Sequence, residues 1–133
     1  MTNSLRAASE LAGRGPRLIV IGGELRRLSQ TVVGPLTRHV VEGLHLDKAF
    51  MGTIGFALAE GLTTTEPSEA FTKELVMAHA REVILLADSG KAGKVSFARA
   101  GTLDKLHAVI TDTKLDPKFA KELTKKGIKV IKA

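Results

Sequence analysis

Cysteine is absent from this 133-residue chain, and so are tryptophan and tyrosine. Without cysteine there is neither a disulfide framework nor a thiolate metal site, and a reducing cytoplasm fits that composition. Long apolar runs are missing too. The longest, such as Val83 to Ala87, fall far short of the ~20 residues that cross a bilayer, and no basic region followed by a long apolar core marks a secretory signal. Aromatic content is limited to five phenylalanines scattered among apolar residues instead of alternating with Lys or Arg, which argues against a stacking platform for single-stranded nucleic acid. The chain carries no GxSxG elbow, P-loop or GxGxxG fingerprint, so hydrolase, nucleoside-triphosphatase and dinucleotide readings lack support. His39, His45, His79 and His107 show no short metal-ligand spacing and read as structural; neither a metal nor a cofactor is expected.

What is present suits one α/β domain. The length, with 44% hydrophobic and 26% charged residues, is that of a globular domain able to bury a core. The net charge is +6, but seven lysines against Asp116 and Glu122 between Lys114 and Lys132 supply five of those six charges. That local excess reads either as the solvated face of a final helix and edge strand or as a patch for direct nucleic-acid binding.

Short β-branched runs recur at Arg17 to Ile21, Thr31 to Val33, Lys48 to Met51, Val83 to Ala87, Ala108 to Thr111 and Ile128 to Ile131. Helical patterns lie between them, which predicts a mostly parallel sheet. Ser4 can cap a helix to about Ala12, and Pro35 opens another through Val41, ended by Gly43. A third begins near Pro67, with Ala70, Phe71, Leu75 and Ala78 on one face while Glu69 and Lys73 can pair on another. The last, Asp116 to Lys126, stops at Gly127 before the alternating strand "IKVIK". Thr2, Asn3 and Ser4 look like the strand-to-helix turn of a unit whose strand lies outside this sequence; a helix simply packed on the sheet is the alternative.

Four polar loops, three of them glycine-bearing, occupy places where α/β proteins bind ligands, beyond the carboxyl ends of strands. They are "TNS" (Thr2, Asn3, Ser4), "IGGE" with Gly22 and Gly23, "MGTIGF" with Gly52 and Gly55, and "DSGKAGK" with Asp88 and Lys91. Converging amides and Lys91 would suit a phosphate, with Asp88 or Glu69 on hydroxyls. Caps and tight turns need the same residues, so each loop alone is equally a solvated turn. Glu69, Asp88 and Lys91 could also act as base, orienter and cation in a proton-shuttling enzyme, whereas Glu69 alone fits a helix first-turn acid paired with Lys73.

Taken together, "TNSL", "VIGGELRRLSQTVVGP", "DKAFMGTIGFALAEGLTT", "SEAFTKELVMAHAREVILLADSGK" and "VSFARAGTLDKLHAVITD" run in the order of a known family. Over nearly its whole length the chain resembles the C-terminal effector-sensing domain of DeoR-family bacterial transcriptional regulators. The resemblance implies a single sensing domain over residues 1–133. Its fold would be three-layered, with helices on both faces of a mostly parallel sheet, like ribose-5-phosphate isomerase, glucosamine-6-phosphate deaminase and the CoA-transferases. It also implies a non-catalytic, cytoplasmic and homo-oligomeric protein that binds a phosphorylated sugar or related metabolite. DNA would be contacted only through an N-terminal winged helix-turn-helix that this sequence lacks, as it lacks the sensor's first strand with its "DSGTT" turn. An isomerase- or deaminase-like enzyme is the alternative.

By motif, Thr2, Asn3 and Ser4 match the family's TNS turn, Gly22 and Gly23 its GG turn, and Gly52 and Gly55 its glycine loop. Glu69 matches its "EA" helix start; Asp88 and Lys91 match its "DSSK" loop, with Lys91 the expected phosphate contact. The chain departs from the family at Gly90, commonly serine, at Ala92, commonly aromatic, and at Ala57, where an acid is frequent.

Overall fold

The computed structural model of the protein describes residues 1–13 and 15–133. Its centre is a four-stranded parallel sheet in the order β3 (Leu46–Met51), β6 (Ala80–Leu86), β8 (Ala108–Thr111), β9 (Lys129–Lys132). A three-stranded antiparallel sheet, β4 (Gly55–Ala57), β5 (Gly61–Thr64) and β7 (Ala98–Gly101), packs beside it, and β1 (Glu24–Arg26) pairs with β2 (Thr31–Val33) as a hairpin. The helices are α1 (Leu5–Leu11), α2 (Arg38–Val41), α3 (Pro67–Ala78) and α4 (Pro117–Lys125).

Strand alternation sends Ala49, Met51, Val83, Leu85, Ala87 and Val109 to one face of the parallel sheet. There they meet Ala70 and Met77 of α3, Leu123 of α4, and Phe56, Leu62 and Ala100 of the antiparallel sheet. The opposite face carries Ile84 and Ala108, both buried, and Phe50 and Leu86, 61% and 44% exposed. The strand order steps in a single direction, and right-handed crossovers taken in one direction fall on the same face, which is why α3 and α4 share the core on the first face. α1 itself buries no residue.

The expected helix starts are found. Ser4 Oγ accepts from Ala7 N at the head of α1, and the Asp116 carboxylate accepts from Lys118 N at the head of α4. Pro35 opens a 3-10 turn, Pro35–Thr37, that leads into α2. The expectation for α3 is corrected. Its buried residues are Ala70, Thr72 and Met77, whereas Phe71 and Leu75 are half-buried and Ala78 is exposed. The physical reason is that Met77 packs against Gly101 of β7, where even a Cβ would lie 2.8 Å from the Met77 sulfur.

The strand expected over Arg17 to Ile21 is reduced to one parallel bridge, Thr2 to Val20. Thr2 N donates to Ile19 O and Ile21 N donates to Thr2 O, but Asn3 O already accepts from Val32 N, so the chain swings toward β2 and the pairing stops. β3 is the edge strand of its sheet. Since Leu46 N donates to His79 O on the β6 side, alternation turns the peptide groups of Asp47, Ala49 and Met51 toward the open edge.

Candidate functional site

The open edge of β3 and the segment Met1–Asn3 face each other across a cavity of about 550 Å³. Its remaining walls are Ile21, His45, Gly52 at the end of β3, and Thr72, Lys73 and Val76 of α3. The bonds between Thr2 and Ile19–Ile21 hold one wall against the Arg17–Ile21 segment, and pairing with β6 fixes the other.

The residues expected to bind ligand fall into three groups. Thr2, Asn3 and Gly52 line the cavity. Thr2 Oγ1 accepts from Ser4 N at 3.1 Å and keeps its own proton to donate, while Asn3 Nδ2 donates to Val32 O at 3.0 Å. A Cβ at Gly52 would meet nothing within 4 Å, so its backbone is accessible.

The second group lies outside the cavity lining. Ser4 is spent on capping α1, and Gly22 follows the lining residue Ile21. Gly23, at φ +153, lies so close to β2 that a Cβ would sit 2.9 Å from Val33 O. Gly55 packs where a Cβ would collide with the Lys94 carbonyl, so that glycine answers a need for close backbone approach. Glu69, on α3, holds Lys73 Nζ at 3.0 Å through Oε1 and Arg26 at 3.4 Å through Oε2.

The third group is separate. Asp88 and Lys91 pair with each other at 3.5 Å around the 3-10 turn Ser89–Lys91. Asp88 lines a shallow depression with Leu86, Ala87, Ile110, Thr111, Asp112 and Ala133. Asp112 accepts from Ser89 N at 2.7 Å and from Lys114 N at 2.8 Å; the Ser89 amide first, then that of Lys114, holds its carboxyl below the usual carboxylate value. Among the described residues, no hydrogen bond or ion pair joins Glu69 to Asp88 or Lys91, and neither of these two lines the larger cavity.

The polar cavity residues that the sequence patterns did not assign to the site are His45, Asp47, Lys48, Thr72 and Lys73. Lys73 stood out only as a partner for Glu69, although it sits three residues after Ala70 and four before Met77, on the buried stripe of α3. A lysine at that position was the available signal. The four lysines of the basic patch on and beside α4, Lys118, Lys121, Lys125 and Lys126, are all exposed, and Lys125 pairs with Glu122 at 2.7 Å.

A cavity beside the carboxyl end of a parallel strand, walled by small polar residues and a lysine, defines an α/β ligand-binding domain. The chain belongs to the DeoR C-terminal sensor domain family, whose model matches residues 1–113. It is 36% identical over 131 residues to the HTH-type transcriptional regulator GlpR of Haloferax volcanii, covering 98% of this chain and 51% of that protein. The lactose phosphotransferase system repressor of Streptococcus mutans is 36% identical over 105 residues, 79% of this chain and 41% of the repressor. The HTH-type transcriptional repressor GlcR of Bacillus subtilis is 27% identical over 132 residues, 98% of this chain and 51% of GlcR. The chain thus spans about half the length of these curated relatives. It is a sensor domain of the DeoR class. Among the described residues, no helix is long and apolar enough to cross a membrane.

Proposed function

We propose that the chain senses a phosphorylated sugar or related metabolite, bound without turnover in the cavity between Met1–Asn3 and β3. The observation that carries this reading is the convergence of Thr2, Asn3, Gly52 and Lys73 on one cavity of about 550 Å³. That volume lies within the roughly 300–1,000 Å³ usual for small-molecule sites. Hydroxyl and amide groups on one wall suit sugar hydroxyls, and the lysine opposite suits an anionic substituent.

The relatives' names supply the regulatory context, since they are HTH-type regulators and a lactose phosphotransferase system repressor. By analogy, the sensor works with a DNA-binding segment and controls its affinity for DNA. The ligand acts by preferring one of two assemblies, because equal affinity for both would shift neither. In this reading the protein is cytoplasmic and a symmetric homo-oligomer, matched to repeated half-sites, with a fold related to the sugar-phosphate isomerases and deaminases. Glu69 being held between Arg26 and Lys73, apart from Asp88 and Lys91, supports a site without a base–orienter–cation set.

The test is thermal unfolding against a panel of sugar phosphates, each beside its unphosphorylated parent. A true ligand stabilises by about 2.7 kcal/mol at roughly one hundred times its Kd. Stabilisation by phosphorylated members alone, with no turnover of ribose 5-phosphate or glucosamine 6-phosphate, is the expected result. Equal shifts with both forms, or turnover, would overturn the reading.

A further inference from the structure

Lys73 projects from the middle of α3 on the stripe that buries Ala70 and Met77, and its side chain is 17% exposed. A cation on a core-facing stripe needs compensation for lost water, and Glu69, one turn back, supplies part of it. The same carboxylate is shared with Arg26, whose guanidinium also donates to Thr65 Oγ1 at 3.4 Å. Two cations on one carboxylate leave the cluster with a net charge of +1. Of the cluster's members, Lys73 is the one that lines the cavity.

Of the neighbouring cavity groups, the one carboxylate, Asp47, lies on the exposed β3 side and makes no ion pair with Lys73. Thr72 is fully engaged: its hydroxyl accepts from Gly34 N at 2.9 Å and donates to Ser68 O at 3.1 Å. Lys48 is turned to Glu82 at 3.5 Å, and Asp47 and His45 are exposed. An ammonium carries three donors, and Glu69 Oε1 takes one, which leaves two for the cavity. Lys91 is placed differently. It faces Asp88 at 3.5 Å, and Asp112 accepts from Ser89 N beside it, so the charge of Lys91 already meets a carboxylate within its own turn.

We propose that Lys73, held in place by the Glu69–Arg26 pair, is the residue that neutralises the ligand's phosphate, and that Lys91 is not. This deepens the proposed sensing function and rests on it. A phosphomonoester would sit with its anionic end against α3 and its hydroxyls toward Thr2 and Asn3. Glu69 and Arg26 are positioning residues in this arrangement.

The experiment is titration calorimetry of the unsubstituted 133-residue chain, Lys73→Met, Lys73→Arg and Lys91→Met. The probes are glucose 6-phosphate, ribose 5-phosphate and inorganic phosphate, each at low and high salt. Lys73→Met keeps the apolar stem and leaves Glu69 its Arg26 partner, so the fold is expected to persist, which unliganded thermal unfolding checks. Loss of a charge-assisted hydrogen bond to phosphate should weaken binding at least about tenfold. Lys73→Arg should recover part of that loss, and Lys91→Met should change affinity less than about twofold. Unsubstituted affinity in Lys73→Met, or a loss confined to Lys91→Met, would overturn the role of Lys73 while leaving the sensing reading intact. Failure of the unsubstituted chain to bind any of the probes would overturn both.

Discussion

Phe56 offers the sharpest test of how the two larger sheets are held together. It stands in β4, is wholly buried, and meets Phe119 of α4 edge-to-face, with ring centroids 5.4 Å apart at 87°. Truncating a buried Phe to Ala removes its transfer free energy and leaves a cavity, about 3–5 kcal/mol together. Native domains have only ~5–15 kcal/mol in hand, so Phe56→Ala should remove a large share of the stability. Phe119 is half-buried, and its truncation should cost about half as much. The ring pair adds its own coupling of about 1 kcal/mol, so the double variant should be less destabilised than the two single losses summed. Urea denaturation of the parent, both single variants and the double variant gives all these quantities, provided the m-values agree. A Phe56→Ala loss below about 1 kcal/mol, or strict additivity, would refute this account of the packing.

Other consequences are more local. Gly61 has φ +76, and a Cβ there would run into the Gly101 carbonyl, so Gly61→Ala should cost about 2 kcal/mol or more in thermal unfolding. Asp116→Ala removes the acceptor for Lys118 N at the head of α4 and should cost about 1 kcal/mol by denaturant titration. The Asp112 carboxyl is held below its usual 3.8, first by the Ser89 amide. Its contribution is therefore present above the unfolded value and is lost as pH falls through the lower folded value. A carboxyl NMR titration should give a midpoint below 3.8 for Asp112, and Asp112→Asn should flatten the acid limb of stability; an ordinary midpoint would contradict the hydrogen-bonding account.

The parallel sheet was legible because its strands are local, β-branched runs, as in the span from Val83 to Ala87 that covers most of β6. The antiparallel sheet was not. Gly55–Ala57 and Ala98–Gly101 are short and rich in glycine and alanine, and they become strands through long-range pairing such as Leu62 with Gly101. The reverse error at Arg17 to Ile21 has the same origin, since a good strand sequence found a partner of only one residue, Thr2. In the candidate site, Thr2, Asn3 and Gly52 were marked by turn chemistry. Lys73 was hidden because an i,i+4 pair with Glu69 is the usual signature of a solvated helix face. Only the burial of Ala70 and Met77 on either side reveals that this pair faces inward.

Backbone amide NMR of the isotopically labelled chain, titrated with the phosphorylated sugar that stabilises it most and with its unphosphorylated parent, tests the central claim most directly. Saturable shifts centred on Thr2, Asn3, Gly52 and Lys73, produced by the phosphorylated form and not by the parent, are the predicted result. Shifts centred on Asp88 to Gly93, with the cavity residues unmoved, would contradict it.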